Sequence, residues 1–197
     1  MSDAGVRCIA VFCGSKPGND PKYLECARRI GAEAAARGLS IVFGGGKVGL
    51  MGAMADAALD AGAHVTGVIP RAMVDAERAL ERCSELIVVR TMHERKQAMA
   101  DRADAFIALP GGVGTFEEIL EVTAWDLLDI HTKPIGLLDL DGFYADLLAL
   151  MRRAHESGFV SAATLDHLVL RPDPVSLLDE IQRRALAARA PRLGLRW

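Results

Sequence analysis

The chain has 197 residues, 51% hydrophobic and 25% charged, with a net charge of −3; it is long enough to bury the core of one α/β domain and gives no reason to expect nucleic acid or an anionic membrane as a partner. Its four cysteines, Cys8, Cys13, Cys26 and Cys83, form neither a CxxC pair nor a metal spacing, which argues for reduced cytosolic thiols rather than a disulfide framework or a zinc module. The apolar run over residues 8–13 is too short for a signal peptide or a membrane span, so a cytoplasmic protein is expected.

Residues 6–13 read as a first strand, followed by the loop Gly14-Ser15-Lys16-Pro17-Gly18. Ser15, at the end of that strand, is placed to donate to a ligand phosphate; a plain turn serine is the alternative. A helix over 21–37 is stopped by Gly38. The second strand, 40–43, runs into Gly44-Gly45-Gly46-Lys47-Val48-Gly49. Gly44, Gly46 and Gly49 match GxGxxG formally. The acid expected about 20 positions on is absent, because the strand 64–69 ends in Pro70-Arg71, and Lys47 lacks the Walker context. A second glycine turn after a strand remains. Its helix, 50–61, carries Ala and Met all round, which fits a subunit interface or close packing within one copy.

Residues 71–77 form an irregular segment with a helical turn, in which Arg71 and Glu77 read locally as surface charges. A fourth strand covers 85–89. The next helix opens at Met92-His93-Glu94-Arg95-Lys96 and puts Met92, Arg95, Met99 and Arg102 on one face. Two cations early in a helix oppose its dipole, so a bound anion is expected to favour Arg95 and Lys96. His93 has no second histidine four residues on and is read as non-metal.

The chain is organised around residues 105–121. Phe106 to Leu109 reads as a strand buried on both faces. Pro110 ends it, and Gly111, Gly112 and Gly114 let the backbone take positive φ and let a ligand approach. Thr115 reads as a helix N-cap, with Glu117 and Glu118 in the first turn. Free N–H groups and the helix dipole make the turn a phosphate site; a structural turn with capping acids is the alternative. At helical spacing Phe116, Ile119, Leu120, Thr123 and Leu127 form an apolar stripe, with Glu118 nearly opposite and Glu121 and Trp125 beside it, so that Trp125 reads as a site wall or a partner surface. Residues 133–138 form a sixth strand, 143–157 a helix, 164–170 a turn of helix and a short edge strand, and 174–189 a last helix. Five arginines and no acid follow Glu180, and residues 183–197 are expected to be a frayed basic tail.

The pattern Pro110-Gly-Gly-Val-Gly-Thr-Phe-Glu-Glu118 resembles the PGGxGTxxE signature of the LONELY GUY (LOG) family, whose members often carry the older label "lysine decarboxylase". Cys13-Gly-Ser15 and Met92-His-Glu-Arg-Lys96 resemble elements of the same family, and the similarity runs from about Val6 to about Pro172. It implies a nucleoside 5'-monophosphate phosphoribohydrolase that releases free base from AMP or cytokinin riboside 5'-monophosphates, with no metal and no organic cofactor. Carried over residue by residue, it implies Arg95 and Glu118 as catalytic. It further implies Ser15, Gly45, Gly46, Arg71, Glu77, Met92, Lys96, Gly111, Gly112, Val113, Gly114, Thr115 and Glu117 as substrate-binding. Many relatives have Thr-Trp where this chain has Ala124-Trp125, so the ligand contact of that threonine is in doubt here. The family usually forms homodimers with shared active-site edges, and a homodimer is expected.

Alternating strands and helices imply one Rossmann-like α/β domain over 1–197, a three-layer sandwich with a mostly parallel sheet and helices on both faces. The turns near Ser15, Gly45 and Gly112 then converge at the carboxyl edge, where such folds bind ligands. A small phosphorylated ligand follows from the residues, and hydrolysis of an N-glycosidic bond from the resemblance. Two alternatives stand beside it: a non-catalytic nucleotide or molybdenum-cofactor-type carrier on the same fold, and an oligomeric scaffold whose glycine turns are structural.

Overall fold

The structure, a computed structural model, describes residues 5–76 and 78–188. The first half alternates β1 (Cys8–Phe12), α1 (Pro21–Ala36), β2 (Ser40–Phe43), α2 (Gly49–Asp60), β3 (Val65–Pro70), the short α3 (Arg71–Asp75) and β4 (Glu85–Val89). The second half follows with α4 (Met92–Arg102), β5 (Ala105–Ala108), α5 (Val113–Leu127), β6 (Ile135–Leu138), α6 (Ala145–Glu156), α7 (Ala162–His167), β7 (Leu168–Arg171) and α8 (Pro174–Ala188), with a 3-10 turn at Leu140–Gly142. The strands form one seven-stranded sheet in the order β4-β3-β2-β1-β5-β6-β7, and every pairing between them is parallel. The expected parallel sheet with helices on both faces is what the chain forms. No described helix is long and apolar enough to cross a membrane.

Period-two alternation in the strands divides the core into two layers. Ile9, Val11, Ile41, Phe43 and Ile107 point to one face and pack with residues of α1, α2 and α8. Ala10, Phe12, Val42, Phe106 and Ala108 point to the other and pack with Met99, Ile119, Val122 and Tyr144. Local signals bound α1, and Gly38 stops it as expected. Asp20 accepts the Lys22 N–H at 2.9 Å, Pro21 begins α1, and Gly38 at φ 69° ends it, with the Leu39 N–H returning to the Ala34 carbonyl.

The Ala- and Met-rich helix α2 packs closely against α1. It buries Leu50, Gly52, Met54, Ala55 and Ala58 and crosses α1 so closely that a Cβ at Gly31 would overlap the Met54 carbonyl oxygen and lie 2.9 Å from the Ala58 nitrogen. The first basic residues after Glu180 are helical. α8 continues to Ala188, and both Arg183 and Arg184 pair with Glu180; residues 189–197 lie outside the described residues.

Two expectations about the central turn are corrected. The cap of α5 is Gly112, in an extended conformation (φ −106°, ψ −155°), not Thr115, and no acid occupies the first turn. Glu117 and Glu118 fall one turn later because the chain turns within Pro110-Gly111-Gly112 and is helical from Val113. Nor do Gly111, Gly112 and Gly114 have positive φ, whereas Gly45 and Gly49 on the neighbouring turn do. Gly111 is needed for clearance instead: a Cβ there would overlap Thr115 Oγ1 and lie 2.9 Å from the Gly14 nitrogen.

The apolar stripe of α5 is corrected as well. Its buried residues are Thr115, Glu118, Ile119, Val122 and Thr123, whereas Leu120 and Leu127 are 41% and 52% exposed. The helix is covered on two sides, by the sheet and by α4, and the α4 side is lined with ion pairs rather than hydrocarbon. Trp125 is half-buried against the second core layer, and Ala124 is exposed.

Candidate active site

From β1 the chain passes to one side through β2, β3 and β4, and later returns on the other side through β5, β6 and β7. The carboxyl ends of β1 and β5 therefore flank the point where the winding reverses, the usual ligand crevice of an open parallel sheet. The turns meet there by direct contact. Gly14 donates its N–H to the Pro110 carbonyl at 3.2 Å, and Leu50 donates to the Gly14 carbonyl at 3.0 Å. Gly49 abuts Ser15 so tightly that a side chain would overlap its backbone. The cleft between them has a volume of about 590 Å³.

At one end of the cleft stands the N-terminus of α5. No side chain caps it, and a Cβ at Gly112 or Gly114 would meet nothing within 4 Å. Bare amides, a helix dipole and no first-turn acid make an anion site. Ser15, Lys16 and Asn19 border the same cleft.

The wall opposite holds a buried pair. Arg95 Nη1 lies 3.7 Å from Glu118 Oε1, beyond hydrogen-bond reach, with both side chains about a tenth exposed. Arg95 also donates to Met92 Sδ at 3.8 Å, and its buried Nε has no partner. Gly44 makes room for the guanidinium: a Cβ there would overlap Nη2 and lie 2.6 Å from Cζ. Burial pushes the Glu118 carboxyl up to about 7, against the lowering effect of Arg95 and with a further raising by Glu117. A guanidinium with unspent donors beside a carboxyl poised near neutrality can hydrogen-bond a ligand and move a proton. Cys13, at the cleft floor, is a buried thiol held protonated by desolvation and by the Glu118 charge.

Thr91 caps α4 by accepting from the Glu94 N–H. Of its two early cations, Lys96 is buried between Glu117 and Glu121 of α5, and Arg95 keeps an unpartnered Nε.

Of the residues singled out in the sequence, Ser15, Arg95, Gly111, Gly112, Val113, Gly114, Thr115 and Glu118 line the cleft together. Gly45, Gly46, Arg71, Met92, Lys96 and Glu117 do not. Gly45 and Gly46 are tied to the segment before β4, Gly45 by its carbonyl to the Leu80 N–H and Gly46 by a bridge to Ala79. Arg71 and Met92 are exposed, and Glu77 lies outside the described residues. Thr123 donates its hydroxyl to the Ile119 carbonyl at 2.7 Å and is likewise off the cleft. Sequence reasoning missed Lys16 and Asn19, which the Ser15 loop position alone would have found. It also missed the apolar walls Tyr23, Met51, Met73 and Phe143. Tyr23 and Phe143 meet edge to face at 6.1 Å, a contact across 120 positions that no local pattern announces.

Comparison with known proteins places the chain in a family. A family model described as "Possible lysine decarboxylase" matches residues 51–181. A cytokinin riboside 5'-monophosphate phosphoribohydrolase of Arabidopsis thaliana is 47% identical over 89% of this chain and 83% of its own length. A probable enzyme of the same name from Oryza sativa subsp. japonica is 49% identical over 91% of this chain and 78% of its own. Among solved structures, the molybdenum cofactor binding protein of Rippkaea orientalis superposes with a TM-score of 0.68 at 22% identity, over 90% of this chain and 96% of that one. The Moco carrier protein of Chlamydomonas reinhardtii gives 0.67 at 20%, over 92% and 98%. At such identities the likeness is one of fold. Where the family model carries the decarboxylase description, both relatives carry the phosphoribohydrolase name.

Proposed function

Because this chain belongs to the LOG family of cytokinin riboside 5'-monophosphate phosphoribohydrolases, we propose that the cleft at the β1–β5 reversal is its active site. There it hydrolyses the N-glycosidic bond of adenine-type nucleoside 5'-monophosphates, AMP and cytokinin riboside 5'-monophosphates, to free base and ribose 5-phosphate. One observation carries the reading. A buried arginine–carboxyl pair, Arg95 and Glu118, faces the same 590 Å³ cleft as the uncapped N-terminus of α5.

The 5'-phosphate sits on the amides of Val113, Gly114 and Thr115, with Ser15 and Lys16 beside it. That anchors the nucleotide at its charged end and leaves the ribose to reach the opposite wall. The C1'–N9 bond breaks with its electron pair passing to the base, and positive charge develops on C1' and the ring oxygen. The carboxylate form of Glu118 stabilises that charge and accepts a proton from the water that adds to C1'. Arg95 is permanently charged and cannot act as an acid; its unspent N–H groups bind the departing base, which takes its proton from solvent. Water supplies the hydroxyl of ribose 5-phosphate and the balance of protons.

The homodimer belongs to the same proposal. Leu127, Leu128 and Ile130, exposed together at the end of α5, offer an apolar surface. A second copy is where the exposed Arg71 and Met92 would acquire a role beside the substrate.

The test is incubation of the purified protein with AMP and, separately, isopentenyladenosine 5'-monophosphate, with free base followed by chromatography. Base release that is lost in Glu118→Gln is the expected result. No release from either nucleotide with binding intact refutes the enzyme and leaves a carrier.

A further inference from the structure

The cleft continues past the anion-binding turn and ends on two aromatic rings. Arg95 fits against Gly44, just after β2, whereas Phe143 follows β6. In the sheet order β2-β1-β5-β6 the N-terminus of α5, which follows β5, stands between them. Tyr23 and Phe143 line the far end and meet edge to face at 6.1 Å. Both rings are held. Phe143 packs on Tyr144 at 5.1 Å and on Phe116 of α5 at 6.3 Å, and the fully buried Tyr144 donates its hydroxyl to the Leu109 carbonyl at 2.6 Å. Gly18, at φ 78°, backs the other ring: a Cβ there would lie 2.6 Å from Tyr23 Cδ2. The Lys22 ammonium lies 5.4 Å from the centre of the Tyr23 ring. It ties together the two segments that carry the pair, at 3.2 Å from Asp20 and 3.0 Å from Asp141. Two carboxylates and one ammonium leave a net negative charge beside the rings.

We propose that Tyr23 and Phe143 are the end stop of the phosphate site and the residues that select a 5'-monophosphate against a 5'-diphosphate. This deepens the function proposed above and rests on it for the placing of the phosphate. A nucleoside monophosphate ends at the group held by the α5 amides. A diphosphate in the same register carries a second phosphate further toward β6, against the two rings. Desolvating that charge there is costly, because the nearest ammonium, Lys22, already serves two carboxylates. Those carboxylates add like-charge repulsion. Shifted the other way, with its terminal phosphate on the amides, the diphosphate pushes C1' past Arg95 and Glu118 toward Met51 and Met73 at the other end of the cleft. The C1'–N9 bond is then out of reach of the water that Glu118 activates. In neither register is ADP cleaved. The discrimination comes from an obstacle built against the wrong ligand, not from an added contact with the right one.

The experiment compares AMP with ADP freed of AMP, in the wild type and in the double variant Tyr23→Ala, Phe143→Ala. Adenine release is followed by chromatography, with ribose 5-diphosphate as the second product when ADP and water react, and both nucleotides are titrated by calorimetry. The wild type should favour AMP in kcat/KM by about 100-fold or more, and the double variant should bring the two within about tenfold by gaining on ADP. ADP cleaved by the wild type nearly as fast as AMP overturns the proposal. So does a double variant that gains nothing on ADP. A variant that only loses AMP also overturns it, by making the rings ligands of the monophosphate. If the double variant fails to fold, Tyr23→Ala and Phe143→Ala each open the same end, and no gain on ADP in either overturns the proposal. A wild type that binds AMP but releases no base sinks the function proposed above. Calorimetry alone then judges the end stop: AMP must bind more tightly than ADP in the wild type, and that preference must fall in the variant.

Discussion

Glu118→Gln should make the protein more stable at pH 8 than the wild type is, relative to the same comparison at pH 5. Glu118 is 8% exposed, and its carboxyl is pushed from 4.5 up to about 7, chiefly by burial. Unfolding returns it to its ordinary value. Between the two values the folded protein holds a proton that the unfolded chain releases, so raising the pH through this window favours unfolding. The contribution of the neutral carboxyl is fully present below about 4.5 and is lost by the time the pH passes about 7. At 1.36 kcal/mol per pKa unit, the loss is about 3 kcal/mol. Glutamine has no proton to lose, so the variant lacks this slope. Subtracting the two proteins at each pH cancels the titrations they share. Urea unfolding at pH 5 and pH 8 should show the difference moving by about 3 kcal/mol in favour of the variant. Thermal melts should show about 6–12 °C for a chain of this size. A difference that does not change with pH, or one that moves toward the wild type at pH 8, would refute the buried, neutral carboxyl.

Two further outcomes follow from clearances at glycines. In Gly44→Ala the added methyl overlaps the far end of the flexible Arg95 side chain, so the guanidinium should move while the fold persists. We expect kcat for base release to fall about 10–100-fold, because a misplacement of about 1 Å is enough for that, with the melting temperature within a few degrees of wild type; an unchanged kcat would show that Arg95 does not need this position. In Gly31→Ala the obstacle is the Met54 and Ala58 backbone of α2, which cannot swing aside, so α1 and α2 must separate. A destabilisation of about 1–3 kcal/mol, read by denaturant unfolding, is expected, and a stability equal to wild type would contradict the close crossing.

Much of this protein is legible one segment at a time. The apolar strand runs, the helix from Pro21 to its Gly38 stop, and the run of strand, glycine turn and helix at 105–121 depend on neighbours within a few residues. The sequence carries those interactions openly, and they suffice for a parallel α/β sheet with its turns at the carboxyl edge. The stretch Pro110 to Glu118 offered a phosphate turn beside a purely structural one, and its resemblance to the LOG signature singled out Glu118.

Only the tertiary structure decided how that acid behaves. Helical periodicity placed Glu118 opposite the apolar stripe, yet it is buried, because the face it occupies is covered by α4, whose Arg95 lies 23 positions earlier. The same packing took Lys96 away from the cleft and gave it to Glu117 and Glu121. It also moved the cap from Thr115 to Gly112, because Gly111 must pass against Thr115 and Gly14, a contact between turns nearly a hundred residues apart. Burial, compensation of charge and clearance are properties of what surrounds a group, and its surroundings come from the whole chain.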